Sequence, residues 1–158
     1  MNADNILAFA HLLSAFWYVG GLTAVQICLV RAWQNDDPMA KAESFVEATH
    51  YQGVLLVPGA IAMGATGLFL WTQMDYSLLT TGWLILLELI YVVVLLVCLP
   101  LTGMGLRRAR LAALRARKAG RTTPEIELAM SDSVPLVFSG IATTAVPLMA
   151  FLSIFRPF

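Results

Sequence analysis

Four stretches of the chain are almost free of charge: residues 6–30, 53–72, 82–105 and 134–155. Each runs for roughly 20 residues or more, and a helix of that length, rising ~1.5 Å per residue, crosses ~30 Å of hydrocarbon. No other feature constrains the fold as strongly. Inside a bilayer every backbone N–H and C=O must find its partner within the protein, so only helices and closed barrels can cross. Barrel strands alternate apolar and polar residues, whereas these runs are continuous. The expectation is an all-α integral membrane four-helix bundle forming a single transmembrane domain. Its longer loops are 31–52 and 106–133. Composition agrees: 59% of the 158 residues are hydrophobic and 13% charged, against ~45–50% and ~25% in soluble domains.

The first run reads as a membrane span and not as a cleaved signal. "MNADN" has no positive charge, and the run exceeds the ~7–15 residues of a signal core. Cys28 and Cys98 both fall inside spans, where small apolar packing residues are expected and a disulfide framework is unsupported.

The remaining charges set an orientation. Of ten Lys and Arg residues, Arg31 and Lys41 lie in the first loop and seven lie in the third: Arg107, Arg108, Arg110, Arg115, Arg117, Lys118 and Arg121. The short loop 73–81 has none, and Arg156 follows the last span. By the positive-inside rule the basic face is cytoplasmic, which puts both termini on the outer side of a bacterial inner membrane. "LRRARLAALRARKAGR" is rich in helix formers. It is expected to continue the third helix out to the anionic headgroups, so nucleic acid need not be invoked. Asp37 before Pro38 has the form of a helix N-cap followed by a first-turn proline. That short helix is expected to run to about Tyr51 and into the second span, with a kink at Pro58.

Small residues recur at helical spacing. Gly20, Ala24 and Cys28 share a stripe in the first span, and Ala60 and Gly64 share one in the second. Ser139, Gly140, Thr143 and Thr144 cluster in the fourth. Such residues let helices approach closely, within this bundle or against other membrane subunits or a second copy.

Ionisable residues inside a span cost several kcal/mol unless they are paired or face a polar cavity. Two occur, His11 and Glu88. His11 lies seven residues before Tyr18, near the middle of the first span, or ~10 Å from the midplane. Glu88 lies six residues before Val94, near the middle of the third, or ~9 Å. Both spans run in the same direction, so the two residues occupy one layer and would touch if these helices are neighbours. His11, Ser14 and Tyr18 share one helical stripe, and Glu88 and Tyr91 share another. Trp71, Gln73, Met74, Met149 and Ser153 fall in the same layer. Trp71 and Trp83 suit the aromatic belt at the interface. His50 lies near the opposite face, roughly 25 Å from His11, so one chain cannot supply a bis-imidazole pair from these residues.

Three roles are open to His11. It can fix helix packing through Glu88. It can be the axial ligand of a haem b held inside the bundle, with Ser14, Tyr18, Glu88 and Tyr91 around it. It can join Met149 or Met74 in binding copper, since imidazole and thioether suit Cu(I).

"HLLSAFWYVGGL" resembles the first helix of the copper-resistance D group of membrane proteins. His11, Tyr18, Gly20, Gly21 and Leu22 stand at that group's pattern positions. "VPGAIAMGATGL", "GWL" and "FLSIFRP" resemble a sister family of short predicted integral membrane proteins of unknown function. The membrane-bound protoporphyrinogen oxidases also begin with a helix of this kind, and the resemblance implies haem b held through His11. Their third helix opens with Trp-Leu and then carries a functional Lys. Here Trp83-Leu84 is followed by Leu87 and Glu88, and no Lys is present. The copper-resistance resemblance implies copper uptake or handling.

The sequence contains no Gly-rich phosphate loop, no metal-ligand Cys/His spacing and no nucleophile motif. The expected function is cofactor binding without an activity of its own: an electron-transfer or accessory subunit of a larger membrane complex. A copper transport or handling protein and a purely structural subunit are the alternatives.

Overall fold

The computed structural model describes residues 3–73, 81–119 and 124–157. All elements among them are helical. They are α1 (Ala3–Gln34), α2 (Pro38–Tyr51), α3 (Val57–Thr72), α4 (Gly82–Val93), α5 (Leu99–Ala119), α6 (Pro124–Met130) and α7 (Val134–Phe155). Two π-helical turns, Gln52–Leu56 and Val94–Cys98, join α2 to α3 and α4 to α5. Four continuous helices result, each long and apolar enough to cross a membrane. The start of α1 and the end of α7 lie at one end of the bundle, called here the terminal end. The end of α1, the start of α2 and the C-terminal part of α5, which carries Arg107, Arg108, Arg110, Arg115 and Lys118, lie at the other, the basic end.

Local chemistry explains the breaks. Asp37 caps α2, its carboxylate accepting from the N–H groups of Met39 (3.1 Å) and Ala40 (3.4 Å). The irregularity expected at Pro58 takes the form of a π turn, and Pro100 has the same arrangement. A proline ring clashes with the carbonyl four residues back, and a widened turn just before it relieves that clash. The N–H of Val57 accordingly reaches Gln52 O, and that of Leu99 reaches Val94 O, each five residues back.

Packing follows the logic of lipid and not of water. The core is built from small or medium side chains such as Val25, Cys28, Ala48, Ala60, Ala109 and Ala142. Phe9, Phe16, Leu96 and Ile154 face outward. Hydrocarbon is as apolar as leucine, so helices associate through close packing and hydrogen bonds. The first and second spans approach backbone to backbone. A Cβ placed on Gly21 would lie 2.6 Å from Leu56 N, and one on Gly59 would lie 2.8 Å from Tyr18 N. Gly20, expected on the packing stripe, has open space around it; its neighbour Gly21 makes the contact. In α7 only Ser139 of the expected four residues is buried. Thr143 and Thr144 are exposed and bond their own backbone. The packed face of α7 is instead Pro135, Ser139, Ala142, Ala145 and Leu152.

Polar bonds lock the bundle. Ser139 Oγ donates to Gln26 Oε1 (2.6 Å), tying α7 to α1. Gln52 Nε2 donates to Leu99 O (3.0 Å), tying the two π turns together. Cys28 and Cys98 are buried free thiols.

The first span packs on the second and fourth, and the third packs on the second and fourth. The first and third are therefore diagonal, so the condition under which His11 and Glu88 would touch is not met. Contact between the second and third spans is concentrated at the basic end, where α2 meets α5. Toward the terminal end α3 leans on α1 while α4 leans on α7, and a cleft opens between these two pairs.

Candidate functional site: an apolar cavity at the terminal end

The cleft encloses a cavity of about 560 Å3 lined by α1, α3, α4 and α7. That lies within the ~300–1,000 Å3 typical of small-molecule and cofactor sites. The lining is mainly apolar. His11, Tyr18, Glu88, Tyr91, Met149 and Ser153 all contribute to it, so most of the polar layer expected from the sequence converges here. Trp71 and Trp83 line it too, with the Arg156 guanidinium 5.4 Å above the Trp83 ring.

Two expected residues lie elsewhere. Ser14 is buried, but its hydroxyl donates to Ala10 O (2.8 Å) within α1 and it does not line the cavity. Gln73 is exposed beyond the end of α3. Met74 lies outside the described residues. His50 is exposed in α2, edge-on to Tyr51 at 5.9 Å, and is not part of this cavity.

The His11–Glu88 pair, one of the three roles open to His11, does not form. The two residues stand on diagonal helices and share the cavity without a bond between them. His11 Nδ1 is instead 3.0 Å from Thr66 Oγ1 on α3. This contact fixes the imidazole's chemistry. Thr66 has one hydroxyl proton, and its Oγ1 lies 2.7 Å from Ala62 O and 3.1 Å from Met63 O. When that proton goes to a helix carbonyl, the threonine accepts from His11. In that arrangement neutral His11 carries its proton on Nδ1, which leaves the Nε2 lone pair available. This is the arrangement by which proteins prepare a histidine to ligate a metal.

Two glycines make room. A Cβ on Gly67 would lie 3.1 Å from His11 Cε1, and one on Gly64 would collide with the Tyr91 hydroxyl. Tyr91 reaches over Gly64 to donate to Ala60 O (2.7 Å). Glu88 makes no hydrogen bond among the described residues. Tyr18 is 1% exposed, and its hydroxyl has no partner among them either. A buried hydroxyl in that state costs ~1–3 kcal/mol.

Sequence reasoning missed Thr66, Gly67 and Met63. The only trace of them was the small-residue run "MGATG", whose spacing resembles packing. Met63 lines the cavity together with Met149, so one imidazole and two thioethers face the same space. Among the described residues no three His, Cys, Asp or Glu side chains gather as a metal-binding group.

No curated protein and no solved structure matches the chain. A family model described as predicted integral membrane protein (DUF2269) matches residues 5–157. That match takes in all four spans and every residue lining the cavity, and the chain therefore belongs to the DUF2269 family of predicted integral membrane proteins.

Proposed function

We propose that the cavity would hold a haem b, or a comparable planar cofactor, with His11 as a ligand to it, and that the protein is an electron-transfer or accessory subunit of a larger membrane complex. The observation that supports this most strongly is the bond from His11 Nδ1 to Thr66, which leaves Nε2 free beside an apolar space of about 560 Å3. A haem in such a setting supplies reversible one-electron transfer. The chain's own residues bind and orient. Thr66 holds the tautomer, Gly67 admits the ring, and Met63 or Met149 offers a thioether as a second ligand. Tyr18, Tyr91 and Glu88 supply polar atoms in an otherwise apolar wall. The resemblance of the first helix to protoporphyrinogen oxidases and to the copper-resistance D group agrees with a ligand role for His11. Leu87, near the position of the oxidase lysine, lines the cavity without a charge, which favours binding over that oxidation.

One observation supports a second reading. His11, Met63 and Met149 share the cavity wall, and imidazole with thioethers is a donor set suited to Cu(I). In either case the basic end would face the cytoplasm of a bacterial cell, and the cavity would open toward the outer leaflet.

Absorption spectroscopy on the full-length protein in detergent tests the proposal. A reduced-minus-oxidised spectrum should show a b-type band, and His11→Ala should abolish it while the protein stays monodisperse. A folded wild-type protein that gives no Soret band after addition of hemin overturns the haem reading. Stoichiometric copper after purification in Cu(I), reduced by both His11→Ala and Met149→Leu, would establish the copper reading in its place. Absence of both would leave His11 a packing residue.

A further inference from the structure

A second groove lies at the other end of the molecule, on the outer surface where the second and third spans meet. Its lining changes character along its length. Val57, Ile61 and Leu95 form one end, Thr49 and Gln52 lie further along, and Arg107 and Arg110 stand at the basic end. No carboxylate lines it. Arg107 and Arg110 are three residues apart on α5 and so share a face. Both are exposed, and neither has an ion pair or hydrogen bond among the described residues. The nearby Arg115 differs, being paired with Glu125 at 3.3 Å.

The dimensions match one bilayer leaflet. Leu95 to Arg107 is twelve residues, or ~18 Å of helix, and Thr49 to Ile61 on the facing wall is the same. Half of a ~30 Å hydrocarbon core is ~15 Å. The groove therefore starts near mid-membrane and ends at two unpaired cations where headgroup phosphates lie. Gly53 keeps it open: it lines the groove, and a Cβ placed on it would meet nothing within 4 Å. The bond from Gln52 to Leu99 O ties the two walls together beneath it.

We propose that this groove holds one anionic phospholipid. Its phosphate sits between Arg107 and Arg110, and an acyl chain lies along Val57, Ile61 and Leu95. The site is independent of the cavity at the terminal end and of whatever cofactor binds there. Two cations near the surface, each contributing about 5.4-fold to affinity, give about thirtyfold together.

Native mass spectrometry of the full-length protein in detergent, titrated with phosphatidylglycerol or phosphatidylcholine, tests it. Wild type should retain one phosphatidylglycerol in preference to phosphatidylcholine. Arg107→Gln with Arg110→Gln should weaken that binding about thirtyfold. Arg115→Gln should leave it unchanged. Gly53→Leu, which adds no charge and whose Cβ meets no neighbour, should lower occupancy by both lipids. Equal retention of the two lipids overturns the proposal. So does the same loss for Arg115→Gln as for the double variant, which would mean a diffuse basic surface. A Gly53→Leu variant that binds lipid normally but dissociates a homodimer also overturns it, by assigning the groove to a second copy.

Discussion

Thr66 has a single hydroxyl proton, and the protonation of His11 depends on where that proton goes. Replacing Thr66 with Val keeps the shape and removes the acceptor, so Nδ1–H loses its partner and the tautomer is no longer held. Outer bonds of this kind are worth ~10–100-fold in ligand affinity at metal sites. Hemin titration of Thr66→Val should therefore show an affinity lower by about that factor, while Thr66→Ser should behave as wild type. Equal affinity for Val and wild type would mean that the bond does not prepare His11. The sequence made His11 and Glu88 legible as costly intramembrane groups. It did not make Thr66 legible, because a threonine in a helix ordinarily bonds its own backbone, as Thr143 and Thr144 do here.

At the scale of helices, Gly20 and Gly21 make a direct comparison. The two are adjacent, yet a methyl group on Gly21 meets the backbone of Leu56 and one on Gly20 meets nothing. Backbone cannot move aside as a flexible side chain can, so Gly21→Ala should cost ~1–3 kcal/mol, the usual range for overpacking. Gly20→Ala should be near neutral. Reversible unfolding in mixed detergent micelles measures both, and equal costs would contradict the crossing geometry. Gln26→Leu removes the bond to Ser139 and should cost ~0.6 kcal/mol, at most ~1.7, as interhelical bonds in membranes do. In a soluble helix an amphipathic pattern would have distinguished Gly20 from Gly21. In lipid both faces are apolar, and spacing alone suggested Gly20.

Across the whole molecule, the helices are joined tightly at the basic end and parted at the terminal end, and the cavity is the result. The basic end also carries the topological signal. Neutralising the seven Lys and Arg residues between 107 and 121 to Gln should produce mixed orientation, whereas wild type should place a terminal reporter fusion on the side opposite this loop. A uniform orientation in the neutralised chain would mean that something else sets the topology. The number of spans and the layer holding His11, Tyr18, Glu88 and Tyr91 were readable in the chain. Charge-free length and helical rise are properties of the sequence alone, and lipid forces such stretches to be helical. Which helices are neighbours was not readable, so whether His11 and Glu88, level with each other, would touch stayed open; they line one cavity from diagonal helices. Only the tertiary structure decided that, along with the partner of His11 and the glycine that carries the helix crossing. These depend on which faces meet, and among helices that are apolar on every side no contrast along the sequence marks the face that will be buried.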